Sequence, residues 1–501
     1  MGTMGIIAAF ALYLAVVVFI GWSYYKRNEN TQDFFLGGRN VGPWVTALSA
    51  EASDMSGWLL MGLPGVAYLV GGVWDAVWTA VGLIIGTYLN WLLVAKRLRK
   101  YTIHSNDSIT IPEFFTNRFK DKSGVLAFVA GIFTLVFFTI YTASGFVACA
   151  KLFNSVFGMP YLWALFLGLG VILAYTILGG YLAVCTTDFI QGMIMLMALL
   201  ITAGLIFVNL GGLAGAPAAV ANFQAAAQTA YEDVSLNPVV AKPFGTMGIV
   251  SAIAWGLGYF GMPHILIRFM GIRSNTEVAL SRRVAVSWVI LAFAGALGVG
   301  ILGGAYLLPE VLSKNAAETI FVVSIQKMFP SFVAGIFLCG MLAAAMSTAD
   351  SQLLVSASAF SRDIFKGVLK KDASEKLTLV VSRLTVFVIA VIAFVMAIDP
   401  NSSIFGLVSY AWAGFGATFG PIVLLSLFWR GMTRNGAIAG MIAGGVVTIV
   451  WHRLSGGIFD LYEIVPGFAV CLLFAVIVSL LNTNKDPEML KEFDVYRELA
   501  D

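Results

Sequence analysis

Apolar residues in this chain come in long, nearly uninterrupted runs rather than in the short periodic clusters of a water-soluble fold. A run of about 20 residues crosses the hydrocarbon core of a bilayer as a helix, and thirteen such runs can be marked. They cover 4–24, 44–70, 74–95, 124–154, 159–179, 183–210, 246–270, 284–308, 331–360, 378–398, 403–429, 435–452 and 463–482. The expected fold is an all-α integral membrane protein of about 13 transmembrane helices, forming one polytopic membrane domain over 1–501. The first run, Met4 to Trp22, has no basic segment before it and no small-residue cleavage site after it. It is expected to be a retained helix and not a signal peptide.

Two runs are interrupted near their middles. The second contains ALSAEASDMSGWLLMGLPG (47–65), and the seventh contains WGLGYFGMPH (255–264). They stand five spans apart. Interrupted helices in corresponding positions of two halves point to the midplane binding site of a transporter. The plainer alternative is that Gly and Pro are frequent in membrane helices in any case.

Composition strengthens the membrane assignment. Apolar residues make up 59% of the chain, charged residues only 11%, and mean hydropathy is +0.89. A soluble domain carries about a quarter charged residues. Placement of Lys and Arg sets the orientation, because cytoplasmic loops collect them. With the N-terminus outside, the inner loops hold Lys26, Arg27, Arg39, the dense group from Lys96 to Lys122, Arg268, Arg273, Arg282, Arg283, the group from Arg362 to Lys376, Arg430 and Arg434. Outer segments hold only Lys151, Lys242, Lys314, Lys327 and Arg453. The C-terminus, with a tail over 483–501, is then cytoplasmic. Of two long outer connections, 211–245 is rich in Ala and Gly and is expected on the membrane surface or over a vestibule; the other is 309–330. Cys149, Cys185, Cys339 and Cys471 sit in apolar runs without paired spacing, so they are expected to pack rather than to form disulfides or a zinc site.

Candidate chemistry concentrates in three places. Glu51 and Asp54 lie inside the second run among Ser49, Ser53 and Ser56. A carboxylate at bilayer depth needs a cation, a partner or water. In the ninth run Ser347, Thr348, Asp350 and Ser351 bunch together, with Ser347 and Ser351 one turn apart. Hydroxyl oxygens are neutral hard donors suited to an alkali cation that must bind and leave; the alternative is hydrogen bonding between packed helices. Asp188 is a third intramembrane acid, and few basic residues are expected nearby to pair the three. Trp255 and Tyr259, one turn apart beside the glycines and Pro263, could box a small apolar ring or simply pack. His264 is expected to be a core histidine. GLGYFG (256–261) and GVGILG (298–303) match a dinucleotide fingerprint only formally, since both lie in apolar runs without a strand before them. No esterase, metalloprotease or Walker motif is present, which argues against an enzyme or a primary pump.

The runs FFLGGR (34–39), ALSAEASDMSGWLLMGLPG (47–65), FFTIY with ASG after it (137–145), WGLGYFGMPHI (255–265), MST followed by SQLL (346–354) and LVSYAWAGFGATFGP (407–421) resemble, in order, the sodium/solute symporter family. The resemblance extends from Phe34 to about Gly467. It implies a LeuT-like core of two inverted five-helix repeats, 44–210 and 246–429, with an extra helix at 4–24 and two C-terminal helices over 435–482. It further implies sodium-coupled uptake by alternating access of a small amino acid, with proline as the leading solute. Sodium would be held by the carbonyls of Ala52, Met55 and Ala344 and the hydroxyls of Ser347 and Thr348. Asp54 and Ser56 match positions tied to sodium coupling, and Arg39 matches a coupling-sensitive position at the inner mouth. The solute pocket would draw on Ser53, Gly57, Tyr141, Trp255, Tyr259 and Pro263.

The chain departs from the family pattern at Glu51 and Asp350. With Asp188 and Ser351 these acids could form a second cation site, admit a proton, or line a solvated vestibule. Sodium is the expected coupling ion and no cofactor is expected; the bilayer and a small solute are the expected partners, with no nucleic acid and no obligate protein partner. The expected location is the bacterial cytoplasmic membrane. The alternatives are a symporter of this architecture for a sugar, vitamin or carboxylate and, in a different class, a channel or membrane sensor.

Overall fold

Backbone N–H and C=O groups inside a bilayer must be satisfied within their own segment, which leaves helices as the outcome for isolated apolar runs. The computed structural model describes residues 3–25, 35–176, 181–232, 245–482 and 485–500. Lys26, Arg27, Phe34, Lys242, residues 177–179 of the fifth run, residues 233–244 of the connection up to 245 and the start of the tail lie outside them. Every predicted run is mainly helical where it is described, the second and seventh being broken. Among the described residues the sole β feature is one parallel bridge, Val41 to Ile272.

In chain order the helices are α1 (Met4–Tyr25), α2 (Pro43–Asp54), α3 (Trp58–Tyr68), α4 (Val73–His104), α5 (Ile111–Arg118), α6 (Val125–Phe157), α7 (Tyr161–Thr176), α8 (Tyr181–Asn209) and α9 (Gly212–Glu232). They continue with α10 (Thr246–Gly261), α11 (Pro263–Gly271), α12 (Val278–Leu307), α13 (Ile320–Met328), α14 (Ser331–Leu369), α15 (Glu375–Met396), α16 (Ile404–Phe428), α17 (Arg434–Trp451), α18 (Ile464–Leu481) and α19 (Pro487–Ala500). By length and composition 10 of the described helices can cross a membrane, and the bent pair α10–α11 makes an eleventh. The other two predicted runs coincide with shorter apolar helices, α3 continuing from α2, and α7.

Four elements depart from the hydropathy reading. α4 runs on to His104 and α14 to Leu369, well past the predicted membrane edges. The connection after residue 210 carries α9, a helix with Pro217 inside it. The tail forms α19. Arg268, expected in an inner loop, is only 2% exposed and lies in the bundle on α11.

Burial orders the bundle. α14 and α16 are its most enclosed spans, while α1, α15 and α18 keep most of their surface for lipid. α2 packs on α8, α11, α12 and α14 and is buried from Thr46 to Asp54, and α11 is buried throughout. Both are halves of broken helices. α2 starts at Pro43, whose missing N–H and fixed φ suit a first turn. It stops at Asp54 because Met55 takes a non-helical ψ of 67°, and a π-type turn resumes at Trp58. α10 tightens to a 3-10 turn over Ala254–Gly261, Met262 becomes extended, and Pro263 restarts the helix with its axis bent by 47°.

Candidate functional site

The end of a helix leaves carbonyls without their intrahelical donors. At the end of α2, the carbonyl of Ala52 accepts the Ser347 hydroxyl of α14 at 2.9 Å. The same hydroxyl lies 3.2 Å from the carbonyl of Ala344. Ala52, Ala344 and Ser347 therefore meet where α2 crosses α14. Thr348 Oγ1 is buried next to them without a hydrogen-bond partner among the described residues, and Met55, fully buried, forms the break itself. Neutral carbonyl and hydroxyl oxygens at a buried helix crossing are a donor set fit for an alkali ion.

Beside this crossing Asp54 ties the two broken helices together. Its Oδ2 accepts the Tyr259 hydroxyl at 2.7 Å, and its backbone carbonyl accepts the Tyr141 hydroxyl at 3.0 Å. Its Oδ1 is buried without a partner among the described residues. Trp255 lies among aromatic rings: Trp58 at 5.9 Å between centroids, Phe405 at 5.1 Å and Tyr462 at 5.4 Å. The irregular backbone here is held from outside. Trp412 Nε1 donates to the carbonyl of Trp255 at 2.7 Å, and Asn90 Nδ2 donates to the carbonyl of Tyr259 at 2.9 Å. Pro263 is buried at the restart of α11, and Gly57 packs so closely on α6 that a Cβ would stand 2.5 Å from that of Ala148. Ser53 Oγ donates within its own helix to Ala50, and Ser56 Oγ accepts the N–H of Trp58 at 3.4 Å. A polar cavity of about 270 Å³, with Asp75, Ser251, Ser409 and Glu463 in its wall, reaches Trp255 from the side of the α17–α18 connection.

The remaining acids divide between two networks. Glu51 Oε1 accepts from Trp91 Nε1 at 3.1 Å. Asp188 Oδ2 accepts from Ser49 Oγ at 2.6 Å and from Arg268 Nη2 at 3.1 Å. Arg268 also donates to Ser351 Oγ at 2.7 Å, to Ser49 Oγ at 3.1 Å and to the carbonyl of His264 at 2.9 Å. The expectation that few bases stand near the intramembrane acids is thus corrected: a guanidinium bridges α2, α8 and α14. Asp350 is fully buried on α14. Arg39 sits apart, at the Lys/Arg-rich end. It pairs with Asp107 at 2.8 Å and donates to the carbonyls of Met270 and Ser108, each at 2.7 Å.

Sequence reading missed Arg268, Asn90, Trp91 and Trp412. Arg268 carried a usable signal, because it follows His264 by one helical turn inside an apolar run. The other three act through single side-chain donors on otherwise ordinary spans.

A broken helix crossing an oxygen-bearing helix is a transporter arrangement, and comparison with known proteins supplies the lineage. The sodium:solute symporter family model matches residues 34–444. The chain belongs to that family. Similar curated relatives of this symporter include the sodium/proline symporter of Escherichia coli (strain K12), 44% identical over 492 residues, 97% of this chain and 95% of that one. The high-affinity proline transporter PutP of Bacillus subtilis (strain 168) is 45% identical over 486 residues, 96% of this chain and 99% of that one. Among solved structures, a substrate-bound, outward-open sodium-coupled sialic acid symporter matches with a TM-score of 0.76 at 19% identity, covering 96% and 99% of the two chains. A nucleobase-cation-symport-1 family transporter matches with a TM-score of 0.53 at 14% identity, over 92% and 98%. At these identities the structural likeness speaks for the fold alone, which is LeuT-like. The symporter is a multi-pass membrane transporter and not an enzyme.

Proposed function

We propose that this symporter takes up L-proline with sodium by alternating access. The observation that carries the reading is the junction at Asp54, where the α2 break meets Tyr141 and Tyr259 on one side and the Ala52–Ser347 oxygen pair lies close by in the chain. Sodium binds first, held by the carbonyls of Ala52, Met55 and Ala344 and the hydroxyls of Ser347 and Thr348. It offsets the carbonyl dipoles at the end of α2 and the charge of Asp54, and so fixes the broken helix. Proline then binds beside it among Ser53, Gly57, Tyr141, Trp255, Tyr259 and Pro263. Its carboxylate faces the positive end of a restarted helix, and its ring meets aromatic walls. Ser56 and Arg39 serve coupling, the latter at the inner mouth.

The two broken helices belong, in this reading, to inverted repeats over 44–210 and 246–429, with the N-terminus outside and the C-terminus inside a bacterial cytoplasmic membrane. The names of the curated relatives support proline as the solute. Purified protein in liposomes, given separate sodium, proton and potassium gradients, tests the scheme. Proline accumulation driven by sodium is expected; uptake indifferent to sodium, or driven only by protons, overturns it.

A further inference from the structure

Away from the broken helices, the Lys/Arg-rich face holds a second cavity, of about 430 Å³, between α4, the end of α16 and the tail helix α19. Arg97, Arg430 and Arg497 line it together with Phe428, Trp429 and Tyr496. α19 forms one wall because it is pinned in place. Arg430 holds Asp494 through two hydrogen bonds of 2.7 and 2.8 Å, Lys120 pairs with Glu492, and the Tyr496 ring stacks on Tyr101 at 3.9 Å.

The cavity carries surplus positive charge. Asp494 engages Nε and Nη2 of Arg430 and leaves Nη1. Arg97 donates only to the carbonyl of Leu93, at 3.4 Å, and has no ion pair among the described residues; neither has Arg497. Behind the Phe493 ring, Arg118 is fully buried with its Cζ 4.8 Å from the ring centroid, and both its Nη atoms lack a hydrogen-bond partner among the described residues. The surroundings are amphiphilic as well as cationic. Phe428, the last residue of an apolar span, is 47% exposed, and Trp429 follows it; aromatic residues collect where membrane helices meet headgroups.

We propose that this cavity binds the phosphate of an anionic phospholipid, with the acyl chains beside Phe428, and that the lipid clamps α19 to the transport core. Basic pockets on the cytoplasmic side of membrane proteins take such headgroups. Free phosphate shares the anionic chemistry, but an exposed apolar residue at the rim suits an amphiphile.

Native mass spectrometry of the full-length protein, with phosphatidylglycerol or phosphatidylcholine added after delipidation, tests this. Phosphatidylglycerol should be retained in preference to phosphatidylcholine. Arg97→Gln and Arg497→Gln should each lower its retention about fivefold, equivalent to about 1 kcal/mol. Arg97→Lys should keep most of it, since a point charge near the phosphate remains. Sodium-driven uptake by the same variants reports that they are folded. Equal retention of the two lipids, or equal retention by wild type and both Gln variants, overturns the proposal. So does inorganic phosphate that raises thermal stability as much as phosphatidylglycerol does.

Discussion

Asp54 shows how a single side chain can be half satisfied. The Tyr259 hydroxyl satisfies one carboxylate oxygen, while the other is buried with no donor among the described residues. An ionised carboxylate in that setting is stable only near a cation. Asp54→Asn keeps an acceptor for Tyr259 and removes the charge. It is expected to weaken sodium binding at least tenfold, about 1.4 kcal/mol, measured as the sodium dependence of proline binding. Ser347→Ala and Thr348→Ala should raise the half-saturating sodium concentration more than that for proline; a change confined to proline would place these hydroxyls elsewhere. Asp188 obeys a different logic, because its cation is built in. Asp188→Asn leaves Arg268 buried and uncompensated, and removing one partner of such a pair costs about 3–5 kcal/mol. Thermal unfolding should show Asp188→Asn combined with Arg268→Gln to be less damaging than the sum of the single changes. The acids were legible in the sequence because charge inside an apolar run stands out. Arg268 was misread as a loop residue because it lies near the end of its run, although its place one turn after His264 was a usable sign.

The broken helices were legible for a related reason, since the bilayer leaves few uses for clustered Gly, Pro and Ser. What the pattern could not convey is that the glycines of α10 are also contact points. A Cβ on Gly258 would stand 1.9 Å from Trp412 Nε1, and one on Gly256 would stand 2.3 Å from the carbonyl of Gly82 on α4. Gly258→Ala is therefore expected to displace Trp412, whose indole holds the carbonyl of Trp255. Uptake should fall and the melting temperature should drop. Trp412→Phe in the same chain should restore part of the stability, since it removes the indole Nε1 and its five-membered ring. No recovery would mean that the clash with Trp412 is not what makes the glycine necessary. α9 and the extensions of α4 and α14 were illegible because they fall outside the apolar runs. There, helix depends on packing rather than on apolar length, as in the contact of Phe223 on α9 with Tyr68 at 5.0 Å between ring centroids.

Across the whole molecule, the two ends of the bundle carry different polar ties. At the Lys/Arg-rich end Arg39 joins the segment before α2 to the end of α11 and to the turn after α4. At the opposite end Lys151 of α6 pairs with Glu318 at 2.6 Å. Glu318 also accepts from Ser403 Oγ at 2.9 Å and from the N–H groups of Ile404 and Phe405, so one carboxylate caps α16 and fastens it to α6. A carrier that alternates must release one tie while the other holds. The two ties should therefore bias a single equilibrium in opposite directions. Glu318→Gln weakens the tie to Lys151 and the cap on α16, and is expected to favour the form open at that end. Arg39→Ala is expected to favour the form open at the Lys/Arg-rich end. Spin-label distances measured across each end, in each variant, read the outcome directly. Opening at both ends in either variant would mean that the ties only stabilise the fold. Opposite displacements, reversed in the double variant, would identify them as the two gates of one conformational cycle.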